Sequence, residues 1–418
     1  MNYNINKSNN QVPKGYKKTK VGVIPEDWEV VKLGSVCEKN AKYGINAPAV
    51  EFDKNLPVYL RITDIDEKGN FNPNKISSVK DDEYKKFILQ ENELVLARTG
   101  ATVGKSYLYN KKDGELVYAG FLIKISPDLT KLNSVFLKNY LNTSLYWHWV
   151  KIMSVRSGQP GINAEEYSIL PIPLPPLKEQ KKIANILTTW DDAISQQDEL
   201  IKAKEELKKG LMQKLLSGEV RFEGFDREWE EISLKEALIE RKTYSEKGLE
   251  FVHVSLTKEG VVPKSDRYER DFLVKDDNKK YKITYLNDIC YNPANLKFGV
   301  ICKNTLGTAI FSPIYITFEL NKNHNIDFFG YLLTTNDFIN RVRKYEQGTV
   351  YERMAVSPKD FLSYKLKLPS KQEQQKIAEV LSNADKEIEL LKNELEELKE
   401  QKKGLMQKLL TGEVRVRV

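Results

Sequence analysis

One glycine-rich segment of the chain has residue types that could bind a phosphate group. Residues 100–106 read Gly-Ala-Thr-Val-Gly-Lys-Ser and follow a short run of strand-forming residues. In a P-loop, four residues separate the two glycines, so that successive backbone N–H groups converge on the phosphate. Here three residues separate Gly100 from Gly104, and Thr99 stands where the first glycine would be. The spacing therefore favours a glycine-rich turn over nucleotide binding.

Other residue types that could support catalysis lack the necessary neighbours. Residues 292–295 read Asn-Pro-Ala-Asn, which faintly resembles the Asn-Pro-Pro-aromatic motif of adenine methyltransferases, but the second proline and the aromatic residue are missing. His148, His253 and His324 are scattered, and none has a second ligand at metal-binding spacing. We therefore predict a turn at 292–295, no metal site and no catalytic constellation in this chain.

A long internal repeat says more about function than these motifs do. Residues 210–221 return as residues 404–415 with one conservative change, and residues 179–187 return as residues 373–381 with three changes. Both matches have the same offset of 194 residues, so the two segments align without a gap. A repeat of this kind divides the chain into two similar halves. The function is expected to need two similar structures held a fixed distance apart.

Both repeated segments have the composition of long helices. Prolines at 175–176 and at 369 precede them, and proline is tolerated at the start of a helix but not inside one. Lys, Glu, Gln, Leu, Ile and Ala then predominate, and all are compatible with helix. Gly218 and Gly412 follow as C-terminal caps. Each predicted helix of about 40 residues would span roughly 60 Å at ~1.5 Å per residue.

Apolar residues recur along both predicted helices at alternating spacings of four and three residues. In the second helix nine of ten such positions are apolar: Ile377, Leu381, Ala384, Ile388, Leu391, Leu395, Leu398, Lys402, Leu405 and Leu409. In the first helix seven of ten are apolar: Ile183, Leu187, Trp190, Ile194, Gln197, Ile201, Lys204, Lys208, Leu211 and Leu215. This is the pattern of a coiled-coil seam, and the two seams are natural partners for each other.

Gly210 and Gly404 lie inside these helical patterns at equivalent positions. An interior glycine costs ~1 kcal/mol relative to alanine. Its recurrence in both copies suggests a close helix approach or a bend, and a tolerated surface glycine is the alternative.

The remaining chain forms a second, more diverged repeat of globular α/β character. Trp28 and Trp229 stand in similar segments near the start of each half. Runs rich in β-branched and aromatic residues predict strands near 58–62, 93–97, 121–125, 251–254, 281–285 and 313–318. A helix-like stretch (136–152 and 328–344) and a polar loop with glycine (156–161 and 346–351) follow in each half.

The predicted organisation is an α/β fold of two globular domains and two long helices. The predicted boundaries are a disordered tail at 1–15, a first domain at 16–176, a first helix at 177–217, a second domain at 218–370, a second helix at 371–412 and a C-terminal tail at 413–418.

Composition excludes some classes of protein. The 418 residues carry a formal net charge of +7, which permits a polyanionic partner without requiring one. Three cysteines (Cys37, Cys290, Cys302) make no disulfide framework and favour a reducing compartment. No run of 18 apolar residues predicts a membrane span, and the first ten residues are no signal peptide. We expect a soluble, cytoplasmic protein.

The combined motifs resemble the specificity subunit of type I restriction-modification systems. The resemblance is carried by a domain ending in Leu-Pro, then Glu-Gln-x-Lys-Ile-Ala, a long helix and Gly-Leu-Met-Gln-Lys-Leu-Leu-(Ser/Thr)-Gly, all present twice. It covers residues 13–415, which is essentially the whole chain. The diverged globular parts resemble the target recognition domains of that family, and the near-identical helices resemble its conserved regions.

The resemblance implies that the chain is not itself an enzyme. Each target recognition domain would read one half of a split, asymmetric site on double-stranded DNA. An antiparallel coiled coil would set the separation of the half-sites and dock two modification subunits, which carry S-adenosylmethionine and methylate adenine. Restriction subunits could add ATP-driven translocation and cleavage. S-adenosylmethionine, ATP and magnesium are therefore expected only in partner subunits, and no membrane partner is expected.

DNA contacts are expected from cationic and small polar side chains at strand ends and in polar loops. In the first domain the candidates are Arg61, Arg98, Thr99, Lys105, Arg156, Ser157 and Gln159. In the second domain they are Lys258, Arg267, Tyr291, Asn292, Lys297, Gln347, Thr349, Tyr351 and Arg353. The candidates for partner docking are apolar residues assigned to the outer helix faces, namely Ile186, Leu200, Val380 and Leu390.

Two alternative functions remain open at this point. A stand-alone bivalent DNA-binding regulator would bind DNA tightly without partner subunits and would not need apolar residues on its outer helix faces. A P-loop nucleotide-binding enzyme is disfavoured by the glycine spacing and would require nucleotide binding by the isolated chain.

Overall fold

The computed structural model describes residues 12–66, 69–245, 251–264, 280–347 and 354–417, and the side chain of Lys75 is not described. Most of the predicted tail at 1–15 falls outside these ranges. The chain forms two compact units, one comprising residues 1–198 with residues 393–418 and the other comprising residues 199–392. Each unit therefore contains one globular part and one half of each long helix.

The first unit contains twelve strands among its described residues. They are β1 (Tyr16–Thr19), β2 (Gly22–Pro25), β3 (Glu29–Lys32), β4 (Lys42–Tyr43), β5 (Ala49–Val50), β6 (Val58–Leu60), β7 (Ser78–Val79), β8 (Leu94–Ala97), β9 (Ser106–Leu108), β10 (Leu116–Tyr118), β11 (Leu122–Ile125) and β12 (Pro171–Leu174). Its helices are α1 (Ser134–Tyr140), α2 (Ser144–Met153), α3 (Ala164–Ser168), the first part of α4 (Leu177–Ser217) and the last part of α9 (Lys371–Thr411).

Two four-stranded sheets form the body of the first unit. One is antiparallel in the order β4-β11-β8-β9, and the other is mixed in the order β10-β6-β7-β5. β3 pairs antiparallel with β12, which leads directly into α4. The largest core cluster joins Trp28 and Phe136 to Ile183 and Leu187 of α4. The globular part and the start of the long helix thus share one hydrophobic core.

The second unit repeats this plan. Its strands are β13 (Glu230–Ser233), β14 (Leu238–Glu240), β15 (Tyr244–Ser245), β16 (Val252–Leu256), β17 (Val261–Pro263), β18 (Tyr281–Thr284), β19 (Ile289–Tyr291), β20 (Ile301–Lys303), β21 (Ala309–Phe311), β22 (Ile316–Leu320) and β23 (Lys365–Leu368). Its helices are α5 (Leu234–Ala237), α6 (Ile326–Leu333), α7 (Asn336–Val342), α8 (Pro358–Ser363), the last part of α4 and the first part of α9.

The sheets of the second unit have the orders β14-β22-β19-β20 and β15-β18-β21-β16-β17. β13 pairs antiparallel with β23, as β3 does with β12, and β23 leads into α9. Phe328 and Phe361 share a core with Ile377 and Leu381 of α9.

The helix-like stretch of each globular part is two helices instead of the single one expected. Thr143 ends the turn after α1, and its hydroxyl accepts a hydrogen bond from the N–H of Tyr146 to begin α2. Thr335 begins α7 in the same way through the N–H of Phe338. A threonine N-cap starts a new helix because its side chain satisfies an N–H group that has no partner within the helix.

The coiled-coil prediction for α4 and α9 is confirmed. Every one of the twenty seam positions is buried or half-buried. The polar seam residues find partners on the facing helix: Lys402 pairs with Asp191 at 2.6 Å in the first unit, and Lys208 pairs with Asp385 in the second. Asp191 precedes Asp385 by 194 residues, as Lys208 precedes Lys402, so the repeat preserves this ion pair.

The interior glycines of the helices do not mediate a close approach within the described chain. Apart from the neighbouring backbone of the same helix, no atom of the described structure lies within 4 Å of the place where a Cβ would stand on Gly210 or Gly404. Among the described residues, no helix combines the length and the apolar character that a membrane crossing requires.

Candidate nucleic-acid interface and helix anchors

A shallow cleft in the first unit collects several of the predicted DNA-contacting residues. It has a volume of about 190 Å³ and is lined by Arg98, Thr99, Arg156, Gln159, Gly161, Ile162 and Asn163. Two backbone segments form it. Thr99, just after β8, pairs with Gly161 of the loop before α3. The N–H of Ile162 donates to the carbonyl of Arg98 at 2.9 Å, and the N–H of Gly100 donates to the carbonyl of Pro160 at 3.0 Å. The residues that the sequence placed in separate loops are thus neighbours.

Arg98 stacks against an aromatic ring at the edge of this cleft. Its guanidinium carbon lies 4.7 Å from the centroid of the Tyr43 ring. The Tyr43 hydroxyl in turn accepts a hydrogen bond from the N–H of Ala164 at 3.1 Å. Within the described ranges Arg98 has no carboxylate partner, so its charge is not neutralised by an ion pair.

Arg156 is used differently, although it lies in the same cleft. Its Nη1 donates to the carbonyl oxygens of Met153 and Val155 at 2.9 and 2.8 Å. Its Nη2 lies 2.6 Å from Oε2 of Glu166, which also accepts a hydrogen bond from the N–H of Asn163. Arg156 therefore ties the end of α2 to the start of α3. Ser157 and Gln159 are exposed on the loop between them.

Arg61 and Lys105 lie elsewhere in the same unit. Arg61 is held by two hydrogen bonds of 2.9 and 2.8 Å to the buried carboxylate of Asp64. Lys105 is half-buried at the start of β9, and its carbonyl accepts from the N–H of Ala97 at 2.8 Å. Neither residue lines the cleft, and their DNA contacts remain predictions.

In the second unit the predicted DNA-contacting residues are more scattered. Lys258 is exposed in the turn between β16 and β17. Lys297 is half-buried with its Nζ 5.2 Å from the centroid of the Phe298 ring. Gln347 is exposed and pairs with Ala355. Four further candidates lie outside the described residues, namely Arg267, Thr349, Tyr351 and Arg353.

Two predicted DNA contacts in the second unit are wrong. Tyr291 is fully buried, stacks on Phe361 with ring centroids 4.7 Å apart, and donates to the carbonyl of Val356 at 3.1 Å. Burial raises the pKa of this phenol. Asn292 is also buried, and its Oδ1 accepts from the N–H groups of Ala294 and Asn295. Asn292 therefore closes the turn predicted at 292–295, which is confirmed, and its side chain is not available to DNA.

The glycine-rich segment after β8 does not have P-loop topology. It connects β8 to β9, which pair with each other antiparallel from Leu94 opposite Leu108. A P-loop joins a strand to a helix whose N-terminus faces the phosphate. A segment that leads from one strand into its antiparallel neighbour cannot supply that helix terminus, so the P-loop alternative is rejected. In the described part of the chain no three potential metal ligands cluster together.

The repeated motifs meet around a buried carboxylate. In the first unit Arg415 donates to Glu179 through Nε at 2.7 Å and through Nη2 at 2.8 Å. Glu179 is only 1% exposed and also accepts from Trp28 Nε1 at 3.1 Å. Arg415 further donates to both oxygens of Asp27, and this ion pair lowers the pKa of Asp27. The segment after α9 is thereby fixed to the start of α4.

The second unit contains the equivalent anchor. Arg221 donates to Glu373 at 2.9 and 2.8 Å. Arg221 is the counterpart of Arg415, and Glu373 is the counterpart of Glu179, since each pair is separated by 194 positions. Trp229 packs on Gly218, where an added Cβ would lie 3.2 Å from its ring, as Trp28 packs on Gly412. Unlike Trp28 Nε1, the buried Trp229 Nε1 has no hydrogen-bond partner within the described ranges.

The glutamine of each Glu-Gln motif also has a fixed role. Gln180 accepts from the N–H of Asn133 at 2.8 Å, and Gln374 accepts from the N–H of Asn325 at 2.9 Å. Asn133 and Asn325 are the N-caps of α1 and α6. No local motif predicted these roles of the Glu, Gln and Arg residues. The signal that could have found them is their identity in both copies of the repeat.

The predicted docking residues fall into two groups. Ile186 and Val380 are half-buried and pack against the cores of their own units, so the prediction that they face outward is wrong. Leu200 and Leu390 are 41% and 68% exposed, and Leu207 of α4, which was not predicted, is 57% exposed. These three leucines form the exposed apolar surface of the helix pair in the second unit, hereafter the leucine patch.

Comparisons with known proteins agree with this architecture. A family model described as "Type I restriction modification DNA specificity domain" matches the chain twice, at residues 25–205 and 228–400. The type I restriction enzyme MjaVIII specificity subunit of Methanocaldococcus jannaschii is 26% identical over 94% of this chain and 94% of its own length.

Solved structures show the same fold. The crystal structure of the HsdS subunit from Thermoanaerobacter tengcongensis matches with a TM-score of 0.50 at 16% identity, covering 94% of this chain and 98% of that one. A structure from work on complex assembly and conformational transition of the type I R-M system matches with a TM-score of 0.54 at 15% identity, covering 94% and 99%. The duplicated family match, which takes in most of the sequence, confirms the internal repeat. The chain belongs to the family of type I restriction-modification DNA specificity subunits.

Proposed function

We propose that this chain is the sequence-specific DNA-binding subunit of a type I restriction-modification complex. Each globular part reads one half of a bipartite, asymmetric site on double-stranded DNA. The observation that carries the proposal is the duplication of one plan, a globular α/β part anchored to a long helix by the same Glu-Gln and Arg residues. The globular parts have diverged in sequence while their anchors have not, as two readers of different half-sites on one common frame require.

The helix pair sets the separation of the half-sites in this proposal. α4 and α9 are 41 residues each and have buried seams. In this proposal the length of the paired helices, and not the globular parts, fixes the spacer between the half-sites. The ion pairs of Lys208 with Asp385 and of Lys402 with Asp191 support one fixed register of the helices, since a shifted register would leave each charge on the seam without its partner.

The chain is a DNA-recognition subunit and not an enzyme, as its family membership implies. In the proposed complex, methylation of adenine belongs to modification subunits that bind S-adenosylmethionine, and ATP and magnesium belong to restriction subunits where these are present. Two modification subunits per chain would match the two-fold character of the repeat.

The leucine patch is the proposed contact for one modification subunit. Lys204 of α4 pairs with Glu387 of α9 at 2.6 Å. Leu200 and Leu207 lie four residues before and three residues after Lys204, and Leu390 lies three residues after Glu387. Residues three or four apart share one face of a helix, so all three leucines surround this ion pair. Exposed apolar residues grouped in this way are typical of a protein interface.

The pseudo-equivalent surface of the first unit is polar. With the offset of 194 residues, Leu200, Leu207 and Leu390 correspond to Glu394, Gln401 and Gln196. A second modification subunit would meet two amides and a carboxylate there. The proposal therefore includes two docking sites of unequal affinity, the tighter one at the leucine patch.

The test is reconstitution with a type I modification subunit from the source organism of this chain. Purified complex is incubated with S-adenosylmethionine and genomic DNA, and methylated adenines are mapped by sequencing. We expect a single split motif with a fixed spacer, and no methylation by this chain alone. A stand-alone regulator would instead bind one DNA sequence tightly without partners, and that result, together with an absence of modified adenine in the reconstituted reaction, would reject the proposal.

A further inference from the structure

We propose that the first globular part reads its half-site through Arg98 and Gln159, with Arg98 specifying a guanine, and that Arg156 and Gly100 only position them. This inference rests on the proposed function, because it names the base-reading residues of the same DNA-binding subunit. In this proposal the cleft contains two kinds of residue. Some have hydrogen-bond donors that are available to a base, and the donors of the others already bond to groups of the protein.

The three arginines of residues 1–176 differ in what their guanidinium groups contact. Arg61 pairs with Asp64, and Arg156 pairs with Glu166. Arg98 has no such carboxylate in the described part of the chain, and it packs on Tyr43 instead. A ring that covers one face of a guanidinium leaves its N–H edge open. Arg98 is thus the arginine whose donors and charge remain available.

The backbone around Arg98 is fixed on both sides. Its N–H donates to the carbonyl of Phe121 at 3.0 Å, and its carbonyl accepts from Ile162. Tyr43, which supports the guanidinium, is itself held by the N–H of Ala164. An arginine restrained in this way loses little further conformational entropy on binding. The bidentate contact of arginine to O6 and N7 of guanine is the commonest specific contact to a base in the major groove.

Gln159 is the second reader because it is exposed and its amide reaches the same cleft. Its Nε2 lies 2.9 Å from the point where a Cβ would stand on Gly100, whose φ is +75°. Glycine adopts this backbone conformation without strain, and its missing Cβ leaves room for the amide in the position that it occupies. A glutamine amide offers a donor and an acceptor side by side and can read the edge of an adenine.

The second globular part has a different residue at the place of Arg98. There the N–H of Asn292 donates to the carbonyl of Val300, as the N–H of Ala97 donates to that of Lys105, so Pro293 takes the place of Arg98. The N–H of Val356 donates to the carbonyl of Pro293 at 3.2 Å, as that of Ile162 donates to Arg98. Proline has no side-chain donor. The two globular parts therefore cannot read the same base at this place, which agrees with an asymmetric bipartite site.

The experiment compares methylation motifs of reconstituted complexes that carry Arg98→Ala, Arg98→Lys or Gln159→Ala. Lys112→Ala is the control, because it removes one positive charge from an exposed position of the same unit. We expect each test variant to relax the preference at one position of one half-site by about 5- to 150-fold, the range for loss of one good bidentate base contact. The other half-site and the spacer should not change.

Arg98→Lys keeps the charge without the planar fork, so it should lose discrimination as Arg98→Ala does. Binding that weakens equally for all sequences while every position of the motif keeps its base preference would assign Arg98 to a phosphate and overturn the inference. Circular dichroism and co-purification with the modification subunit show that a variant is folded and assembled. If the wild-type complex itself modifies no split motif, the proposed function fails, and that result is distinct from an unchanged motif in the variants.

Discussion

Arg415 lies beyond the end of the last helix, and its Nε is 2.7 Å from the buried Oε1 of Glu179 at the start of the first long helix. The same relationship holds between Arg221 and Glu373 in the other unit. These pairs explain why the repeat extends beyond the helices themselves. Each copy of the terminal Gly-Glu-Val-Arg segment fastens the end of one long helix to the beginning of the other.

Replacement of Arg415 by alanine is expected to destabilise the first unit by about 1–3 kcal/mol. It would leave the buried Glu179 with only the indole N–H of Trp28, and an under-satisfied buried charge is costly, although Arg415 itself is partly exposed, which reduces its contribution. Urea unfolding of the purified chain measures the change. Arg415→Lys should recover only part of the loss, because lysine cannot donate to Asp27 and Glu179 in the same fork geometry.

The same substitution should alter the response to acid. The ion pair with Arg415 lowers the pKa of folded Asp27 below its unfolded value of about 3.9. A carboxyl group with a lowered pKa contributes stability above its unfolded pKa, and this contribution is lost as the pH falls through the folded pKa. The loss of stability of the wild type in this pH range should therefore be steeper than that of Arg415→Ala. If stability fell equally steeply with pH in the wild type and in Arg415→Ala, or if the two were equally stable at neutral pH, Arg415 would not be an anchor.

The two equivalent seam ion pairs should not be equally strong. Asp385 accepts a hydrogen bond from the hydroxyl of Tyr331 at 2.6 Å in addition to its pair with Lys208. Burial, and to a smaller extent this bond, raise the pKa of Tyr331. Among the described residues Asp191 has no corresponding tyrosine. Asp385→Asn is therefore expected to cost about 1 kcal/mol more in unfolding free energy than Asp191→Asn. Tyr331→Phe in both backgrounds is the control, and a cost that does not depend on Asp385 would contradict the assigned bond.

Leu207→Glu is expected to weaken binding of one modification subunit at least ten-fold while leaving the fold intact. Leu207 is 57% exposed in the free chain, and burying a leucine is worth ~1.5–3 kcal/mol. Gln401→Glu is the matched control, since position 401 is the equivalent of 207 on α9. Quantitative co-purification should change from two modification subunits towards one for the first variant only. Loss of both subunits, or of neither, would show that the leucine patch is not a single docking site.

Four residues inserted after Lys392 in α9 are expected to lengthen the DNA spacer by one or two base pairs. The helix grows by ~6 Å, and DNA rises ~3.4 Å per base pair. The insertion is also a stutter, so some loss of coiled-coil stability is expected. The same bases should still be read in both half-sites. A variant that assembles and methylates the original site at its original spacing would show that α9 does not set the distance.

The periodic apolar pattern of the sequence predicted the two long helices correctly. The exposure of individual residues outside that pattern was predicted less well. Alternating spacings of four and three residues located both seams, because a coiled coil repeats one local geometry many times. Ile186 and Val380 were assigned to the outer face because a helical wheel contains no information about a globular part that packs against the start of the helix. Tyr291 was predicted to contact DNA for a similar reason. The sequence does not show whether the side chain of a residue at the end of a strand points into the core or towards solvent.

Side-chain pairing decides the DNA-contacting surface, and sequence alone does not reveal it. Arg98 and Arg156 have the same residue type, both stand beside glycines, and both were predicted to contact DNA. They differ because Arg98 packs on Tyr43, which is distant from it in sequence, whereas Arg156 pairs with Glu166. No local sequence pattern predicts either contact. The anchors formed by Arg415 and Arg221 could have been inferred from the sequence. Both copies of the repeat have an arginine at this position, and packing along the helical seam does not explain it.

The most direct test of the central claim is the methylation motif of a chain with two identical globular parts. Residues 232–369 are replaced by a copy of residues 31–175, so that both junctions fall in equivalent two-stranded sheets, β3 with β12 and β13 with β23. If each globular part reads one half-site, the complex with modification subunits will methylate a palindromic split motif made of the first half-site twice. Retention of the original asymmetric motif would contradict the claim.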